Sequence, residues 1–197
     1  RYAMHLSLNY KNEPYLGFVL IPEKDELWIS NYETTWCENR NGNLKETSLS
    51  RKFDFKDMRI VTSKNHRNHV LKDLINKLNF KDVLIMGSIG CKIASILRGE
   101  SDIYICLSLP GKSSPKDWDF SAPAAILKAA GGAITNLNNE ELTYGSSNFE
   151  QSGIIIASSN YVMHRSICLQ IKEVINKYDL FPLDFNSEVQ LGLVLAQ

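Results

Sequence analysis

The segment WDFSAPAAILKAAGG, residues 118–132, decides how the rest of the chain is interpreted. Apolar residues recur at helical spacing after Asp119 and a glycine pair ends the run, which predicts a helix with an acidic residue at its start. Trp118 is expected to pack in the interior and to position its neighbour. The carboxylate of Asp119 either caps the helix or binds a ligand, and the pattern alone favours the cap.

A basic loop directly precedes this helix. Lys112 and Lys116 lie within residues 109–116, immediately before Asp119. A carboxylate beside cations at the beginning of a helix suits a site for a metal ion and a phosphate group. Taken alone, the two lysines are typical of an ordinary solvated loop. They indicate a phosphate site only together with polar residues from other parts of the chain.

The composition is that of an ordinary globular protein. The 197 residues are 44% apolar and 22% charged, which is enough to bury a full core. The 22 basic residues balance the 22 acidic ones, so no global field favours DNA, RNA or a membrane as a partner. Four cysteines without a C-x-x-C pair predict a reduced, cytoplasmic setting, and no signal peptide is visible.

The first 50 residues predict an antiparallel meander. Its strands are expected at residues 2–9, 15–21, 26–30 and 34–37, with turns between them. The polar stretch 39–50 is expected to be a loop and the seam between two structural units. We therefore predict a first unit over residues 1–50, the remainder of an N-terminal antiparallel sheet.

Strands and helices alternate from residue 58 onward, which predicts an α/β unit over residues 51–178. Strands are expected at 58–62, 82–86, 102–107, 133–135 and 153–157, and helices at 68–78, at 89–97, after Asp119, and from a cap at Ser159-Asn160 to about residue 177. Val162 is expected on the inward face of the last helix. Residues 179–197 are a tail that the sequence does not place.

Three polar clusters follow predicted strands. They are Ser63-Lys64-Asn65-His66, Gly87-Ser88-Ile89-Gly90-Cys91-Lys92, and the basic loop that ends at Asp119. Consecutive strand ends gather along one edge of an α/β sheet, so the three clusters are expected to face a common crevice. A lysine at a helix start opposes the helix dipole, so Lys92 indicates an anionic partner.

Each cluster also has a purely structural interpretation. Ser63 and His66 could serve a turn and a cap, and residues 87–90 could be a plain connection from strand to helix. Cys91 and Cys106 lie in apolar stretches and are expected to fill the core. The combination of clusters is more specific than any one of them.

Taken together, the clusters resemble the inositol monophosphatase superfamily of metal-dependent, lithium-sensitive phosphatases, and most closely its 3'(2'),5'-bisphosphate nucleotidases. The family's signature of Trp-Asp, small residues and a helix ending before Gly-Gly matches residues 118–132. The pair Ala122-Pro123 is typical of the nucleotidase branch. Residues 63–66 are similar to its Ser-Arg-Ser-His-like segment, and residues 87–92 to its glycine turn followed by a lysine.

The resemblance implies an α/β fold, a layered α-β-α-β-α sandwich of the inositol monophosphatase / fructose-1,6-bisphosphatase type. It implies that Asp119 is catalytic and a Mg²⁺ ligand, and that lithium inhibits. It also implies that His66 and Lys92 contact the nucleotide and its second phosphate, with Ser63 and Ser88 as further substrate-binding residues. A lysine and a histidine donor suit that charge chemically.

The reaction implied by the resemblance is metal-assisted hydrolysis of the 3'-phosphate of 3'-phosphoadenosine 5'-phosphate, which gives AMP and phosphate. An inositol-phosphate or fructose-bisphosphate phosphatase is the alternative within the superfamily. The implied partner is a small phosphorylated nucleotide, and the family also makes a homodimer an expected state.

The family's other metal-binding motifs, Gly-Asp-Glu-x-x-Glu and Asp-Pro-Ile/Leu-Asp-Gly-Thr, are absent from this sequence. Residues 1–5 resemble the strand that follows the second motif, so we expect that roughly the first third of a usual member is missing, with most metal ligands. Asp117, Glu100 and Asp102 lie in no spaced carboxylate motif and are not expected to replace them. The chain then either belongs to a functional nucleotidase or only binds a phosphorylated ligand. A missing layer would uncover apolar surface and favour self-association.

Overall fold

The computed structural model describes residues 2–63, 69–108 and 114–180. Within these ranges ten strands form two five-stranded sheets, and four α-helices pack against them. The strands are β1 (Met4–Tyr10), β2 (Glu13–Ile21), β3 (Glu26–Ser30), β4 (Thr35–Glu38), β5 (Leu44–Lys45), β6 (Arg59–Ser63), β7 (Asp82–Met86), β8 (Ile103–Ser108), β9 (Ala133–Asn136) and β10 (Gly153–Ser158). The helices are α1 (His69–Leu78), α2 (Ile89–Leu97), α3 (Asp117–Ala129) and α4 (Tyr161–Tyr178).

The first sheet is the predicted antiparallel meander, in the order β1-β2-β3-β4-β5. The prediction of an uninterrupted loop over residues 39–50 is wrong at β5, because Leu44 and Lys45 pair with β4. The turn before them is closed by the Asn39 side chain, which accepts hydrogen bonds from the amides of Asn41 and Asn43. These local hydrogen bonds allow a polar stretch to return and add a short strand.

The second sheet has the order β7-β6-β8-β10-β9. Strand β6 is parallel to β7 and β8, whereas β10 is antiparallel to β8 and β9. The carboxyl ends of β6, β7 and β8 therefore lie at one edge, as the alternation of strands and helices predicts. The predicted bounds of all five strands agree with the observed ones to one residue.

The described elements form four layers. Helices α2 and α3 lie between the two sheets, and α1 and α4 cover the other face of the second sheet. This arrangement is the predicted layered α/β sandwich, without an outer helical layer among the described residues. The division into units at 1–50, 51–178 and 179–197 stays a prediction. None of the described helices is both long and apolar enough to cross a membrane.

Helix α3 is held close against the first sheet at Gly17. A Cβ atom at residue 17 would lie 2.7 Å from the Cβ of Ala125 and 2.8 Å from the carbonyl oxygen of Ala122. Only a glycine leaves room for this approach. The same helix buries Phe120 completely in the core between the sheets. The start of α3, which carries Asp119, is thus fixed between the first sheet and α2.

The outward face of the first sheet is apolar and uncovered among the described residues. The register of β1 to β4 places on it Met4, Leu6, Leu8, Leu16, Phe18, Leu20, Leu27, Ile29 and Trp36. Leu6 is 68% exposed and Leu8 is 56% exposed. An apolar face on an uncharged edge strand favours association. The self-association predicted from the sequence would occur at this face, and that self-association remains a prediction.

Helix α4 begins at the predicted position, but one of its residues faces the opposite way from the prediction. The Asn160 side chain accepts a hydrogen bond from the amide of Met163 and caps the helix. The inward prediction for Val162 is wrong, because this side chain is 83% exposed. Val162 precedes the buried Ile167 by five positions, which is about 140° around a helix. Met163 and His164 turn toward the sheet instead.

A buried histidine on α4 predicts acid sensitivity of folding. His164 is 2% exposed and its ring nitrogens contact the hydroxyls of Ser158 and Thr135 at 2.7 and 2.8 Å. Burial lowers the pKa of His164 to about 4. As the pH falls below about 6.5, the unfolded chain takes up a proton that the folded chain does not, so the free energy of unfolding decreases by about 3 kcal/mol down to pH 4.

The measurement is urea unfolding between pH 7 and pH 4.5. We expect the slope of unfolding free energy against pH to be smaller in His164→Gln than in the unsubstituted chain, whatever the absolute loss of stability. His69→Gln, at an exposed position in the first turn of α1, is the control and should leave the slope unchanged. An equal slope in His164→Gln would contradict the assignment.

Candidate active site

Asp119 lies in the first turn of α3 and is half-buried. Its Oδ2 atom accepts a hydrogen bond from the backbone amide of Lys116, the residue that precedes the helix, at 2.8 Å. The capping interpretation therefore holds for one oxygen of the carboxylate. The other oxygen has no hydrogen-bond partner among the residues that the structure describes, so it is free to bind a ligand.

The prediction that Trp118 packs in the interior is wrong. Its side chain is 60% exposed, and the centroid of its ring lies 6.0 Å from that of the Phe149 ring. The reason is helical geometry, because Trp118 precedes the buried Phe120 by two positions, about 200° around the axis. The backbone of Trp118 still serves the site, since its carbonyl oxygen lies 3.3 Å from Nδ1 of His5.

Lys92 is a buried amine in the first turn of α2. It is 3% exposed, and its Nζ atom lies 4.9 Å from the centroid of the Tyr104 ring. Burial lowers the pKa of Lys92 to about 8, and the nearby Asp119 carboxylate partly opposes this shift. No salt bridge to Lys92 is formed within the described ranges. A buried cation in this state is stabilised by any anion that enters beside it.

Tyr104 lies on β8, and its side chain reaches the carboxyl end of the neighbouring strand β6. It is 2% exposed, and its hydroxyl is hydrogen-bonded to the side chains of Ser63 and Cys106. Burial raises the pKa of Tyr104 well above its usual value and also raises that of Cys106, so both groups are neutral. Ser63 thus reaches the site through Tyr104. The core-filling prediction holds for Cys91, which is buried in the core, and Cys106 packs against the same core cluster.

Ser88 is the residue that precedes α2, and Gly87 separates it from the end of β7. Its side chain makes no capping hydrogen bond to the helix, unlike most serines at this position. Its Oγ atom lies instead 3.4 Å from Nε2 of His5 on β1. The first amides of α2 therefore lack a side-chain cap within the described residues, and a helix start of this kind attracts anions.

The structure thus gathers four of the five predicted site residues, Ser63, Ser88, Lys92 and Asp119, around the carboxyl ends of β6, β7 and β8. His66 lies outside the described residues, as does Lys112 of the basic loop. Two further participants, His5 and Tyr104, are absent from the sequence-based prediction. Both belong to strands. The one sequence signal for them is a polar side chain within a largely apolar strand.

The neighbouring acids are held by hydrogen bonds within the fold. Their partners are the Gly145 amide and the Gln151 side chain for Asp117, the Arg59 amide for Asp102, and the Arg98 guanidinium for Glu100, all at 2.6 to 2.7 Å. Each of these hydrogen bonds would be lost if the carboxylate turned to a cation.

Asp119 fits one coordination position of a hard cation such as Mg²⁺, because a carboxylate oxygen is the ligand type that such ions prefer. The described ranges contain no group of three or more His, Cys, Asp or Glu side chains that could hold a metal ion. The described residues therefore supply one metal ligand next to a group of anion-binding donors.

Comparison with known proteins agrees with the fold. Residues 1–176 match the inositol monophosphatase family, and the chain belongs to that family. The family is one of phosphatases.

Among individual relatives, the chain is similar to 3'(2'),5'-bisphosphate nucleotidase 1 of Mus musculus, with 33% identity over 109 residues, 54% of this chain and 34% of the relative. It is also similar to 3'(2'),5'-bisphosphate nucleotidase CysQ of Buchnera aphidicola, with 28% identity over 143 residues, 73% of this chain and 51% of that protein. The chain thus spans about a third of the first and half of the second.

A solved structure shares the fold. The crystal structure of SaIMPase-II bound to inositol monophosphate superposes with a TM-score of 0.71 at 20% identity, covering 99% of this chain and 67% of that one. This similarity establishes the inositol monophosphatase fold for the described part of the chain.

Proposed function

We propose that the chain belongs to a Mg²⁺-dependent phosphomonoester hydrolase that removes the 3'-phosphate of 3'-phosphoadenosine 5'-phosphate. The observation that carries the proposal is the pairing of Lys92 with Asp119 at adjacent helix starts. One is a buried amine without a salt bridge to any described residue, and the other is a carboxylate with one oxygen that has no hydrogen-bond partner among them. A phosphorylated ligand with a metal ion satisfies both groups.

The residues of this chain have separate tasks in the proposal. Lys92 and the uncapped start of α2 neutralise a phosphate group remote from the reacting one. Asp119 holds one Mg²⁺, and a bound Mg²⁺ supplies Lewis-acid stabilisation of the charge on the transferring phosphoryl group. Tyr104, neutral and buried, keeps Lys92 in place through the face of its ring.

The choice of a nucleotide over other phosphate esters has its support in the relatives. The two curated relatives above are both named as bisphosphate nucleotidases, and the second phosphate of such a nucleotide gives Lys92 a partner. An inositol-phosphate or fructose-bisphosphate substrate is the alternative. A cytoplasmic location is part of the proposal, supported by four free cysteines.

A second candidate function is ligand binding without hydrolysis. It is favoured by one observation, namely that the described residues hold no cluster of three metal-ligating side chains. Hydrolysis by two or three cations needs several carboxylates, and Asp119 alone does not supply them.

One assay separates these functions. Phosphate release from 3'-phosphoadenosine 5'-phosphate by the 197-residue chain is measured with Mg²⁺, with EDTA, and with Mg²⁺ plus lithium, beside inositol 1-phosphate as a second substrate. The hydrolase function predicts Mg²⁺-dependent, lithium-inhibited release that is faster with the nucleotide. Binding of the nucleotide by a folded chain without any release would favour the second function, and faster release from inositol 1-phosphate would favour the alternative substrate.

A further inference from the structure

His5 connects the starts of the two helices that form the candidate site. It lies on β1 with its ring toward the interior, where Nε2 is 3.4 Å from Oγ of Ser88 and Nδ1 is 3.3 Å from the carbonyl oxygen of Trp118. A side chain at residue 90 would collide with the imidazole, so Gly90 provides the space for it. The ring is therefore held in one orientation.

The hydrogen bonds of this ring have a defined direction. A carbonyl oxygen only accepts, so the contact with Trp118 requires the proton on Nδ1 of His5. Burial lowers the pKa of His5, which keeps the ring neutral and leaves Nε2 without a proton. Ser88 must then donate its only hydroxyl proton to Nε2.

Ser88 is left with acceptor capacity alone. Its oxygen does not cap α2, it is half-buried, and it lies one helical turn before Lys92 at the edge where the strands end. We propose that His5 fixes Ser88 as a hydrogen-bond acceptor, so that Ser88 recognises a hydroxyl group of the ligand and not a phosphate oxygen. This inference rests on the function proposed above, and it specifies the part of the substrate that Ser88 contacts.

The nucleotide offers one sugar group of this kind. With phosphates on its 3' and 5' oxygens, the ribose of 3'-phosphoadenosine 5'-phosphate keeps a single hydroxyl, at the 2' position. Ser88 would therefore distinguish the ribonucleotide from its 2'-deoxy analogue. Phosphate oxygens, which only accept at neutral pH, would rely on Lys92 and on the amides of α2.

The direction of the hydrogen bonds is tested first by NMR, without any ligand. Long-range ¹H–¹⁵N correlation of the histidine rings gives the tautomer of each of the four histidines, and His5→Phe assigns the signals of His5 by their disappearance. We expect His5 to carry its proton on Nδ1, the tautomer that is the minor one in free histidine. A proton on Nε2 would overturn the proposal, since Ser88 would then be free to donate.

Ligand discrimination is tested second, by calorimetric titration with Mg²⁺ present. We expect the chain to bind the ribonucleotide about fivefold more tightly than the 2'-deoxy analogue, the scale of one neutral hydrogen bond. Ser88→Ala should abolish this preference and leave the affinity for inorganic phosphate unchanged. In His5→Phe the released Ser88 proton should strengthen phosphate binding.

Equal weakening of phosphate and nucleotide binding in Ser88→Ala would overturn the proposal. If neither nucleotide binds to the folded chain, the proposed function fails and the ligand role of Ser88 fails with it. The tautomer of His5 is decided by NMR in either case, so the two failures are distinguishable.

Discussion

Asp119→Asn is expected to remove Mg²⁺-dependent phosphate release, by at least about 100-fold, the scale of losing one preorganised charge at a reacting centre. The amide oxygen of asparagine can still accept the hydrogen bond from the Lys116 amide, so the cap on α3 is kept. The substitution therefore separates the ligand role of the carboxylate from its capping role. Phosphate release and thermal unfolding are measured on the same preparation.

The adjacent carboxylate provides the matched control. Asp117→Asn replaces a buried acceptor that is held by the Gly145 amide at 2.6 Å and the Gln151 side chain at 2.7 Å, and we expect it to lower the unfolding temperature. Asp119→Asn should leave that temperature unchanged. Full activity in folded Asp119→Asn would remove Asp119 from the metal site.

Lys92→Met is expected to weaken binding of 3'-phosphoadenosine 5'-phosphate by 10- to 100-fold, by about 1.5–3 kcal/mol for a hydrogen bond to a charged group. Methionine occupies a similar volume and removes a buried charge, so the folded state should be at least as stable as before. Binding of the nucleotide and of inositol 1-phosphate is compared by calorimetry, and stability by urea unfolding.

The comparison of the two ligands identifies which phosphate Lys92 contacts. Loss of affinity confined to the nucleotide supports a contact with its second phosphate, whereas an equal loss for both ligands would show that the lysine acts at the common phosphate. Lys177→Met, on the exposed surface of α4, controls for the change in net charge and should leave both affinities unchanged.

The elements that were predictable from the sequence are those whose apolar residues are buried on both sides. Strands β6 and β8 and helix α2 lie in the middle layers, where a continuous apolar run can only be interior. Their ends carry Ser63, Ser88 and Lys92, so the assembly of most of the site followed from the order of strands and helices.

The first sheet shows why the remainder was not predictable. On β1 the apolar residues Met4, Leu6 and Leu8 face outward, and the polar His5 and Ser7 face helix α3. A pattern of alternating residues identifies two faces but does not say which one is covered, unless the covering layer is known. For this reason the sequence pattern did not predict that His5 contacts the candidate site.

Asp119 illustrates a different limit. Sequence patterns set the capping role against the ligand role, although a carboxylate has two oxygens and one suffices for the cap. In the structure Oδ2 caps the helix, and within the described ranges the second oxygen has no hydrogen-bond partner. The two interpretations are therefore compatible, and motif analysis could not have shown it.

The central claim is that the edge formed by Ser88, Lys92 and Asp119 binds a phosphorylated nucleotide. The most direct test is a ¹H–¹⁵N titration of the labelled chain with 3'-phosphoadenosine 5'-phosphate and Mg²⁺, with backbone amides assigned. We predict saturable shifts in residues 87–92 and 117–119. Shifts confined to another surface, or no shifts in a folded chain at millimolar nucleotide, would contradict it.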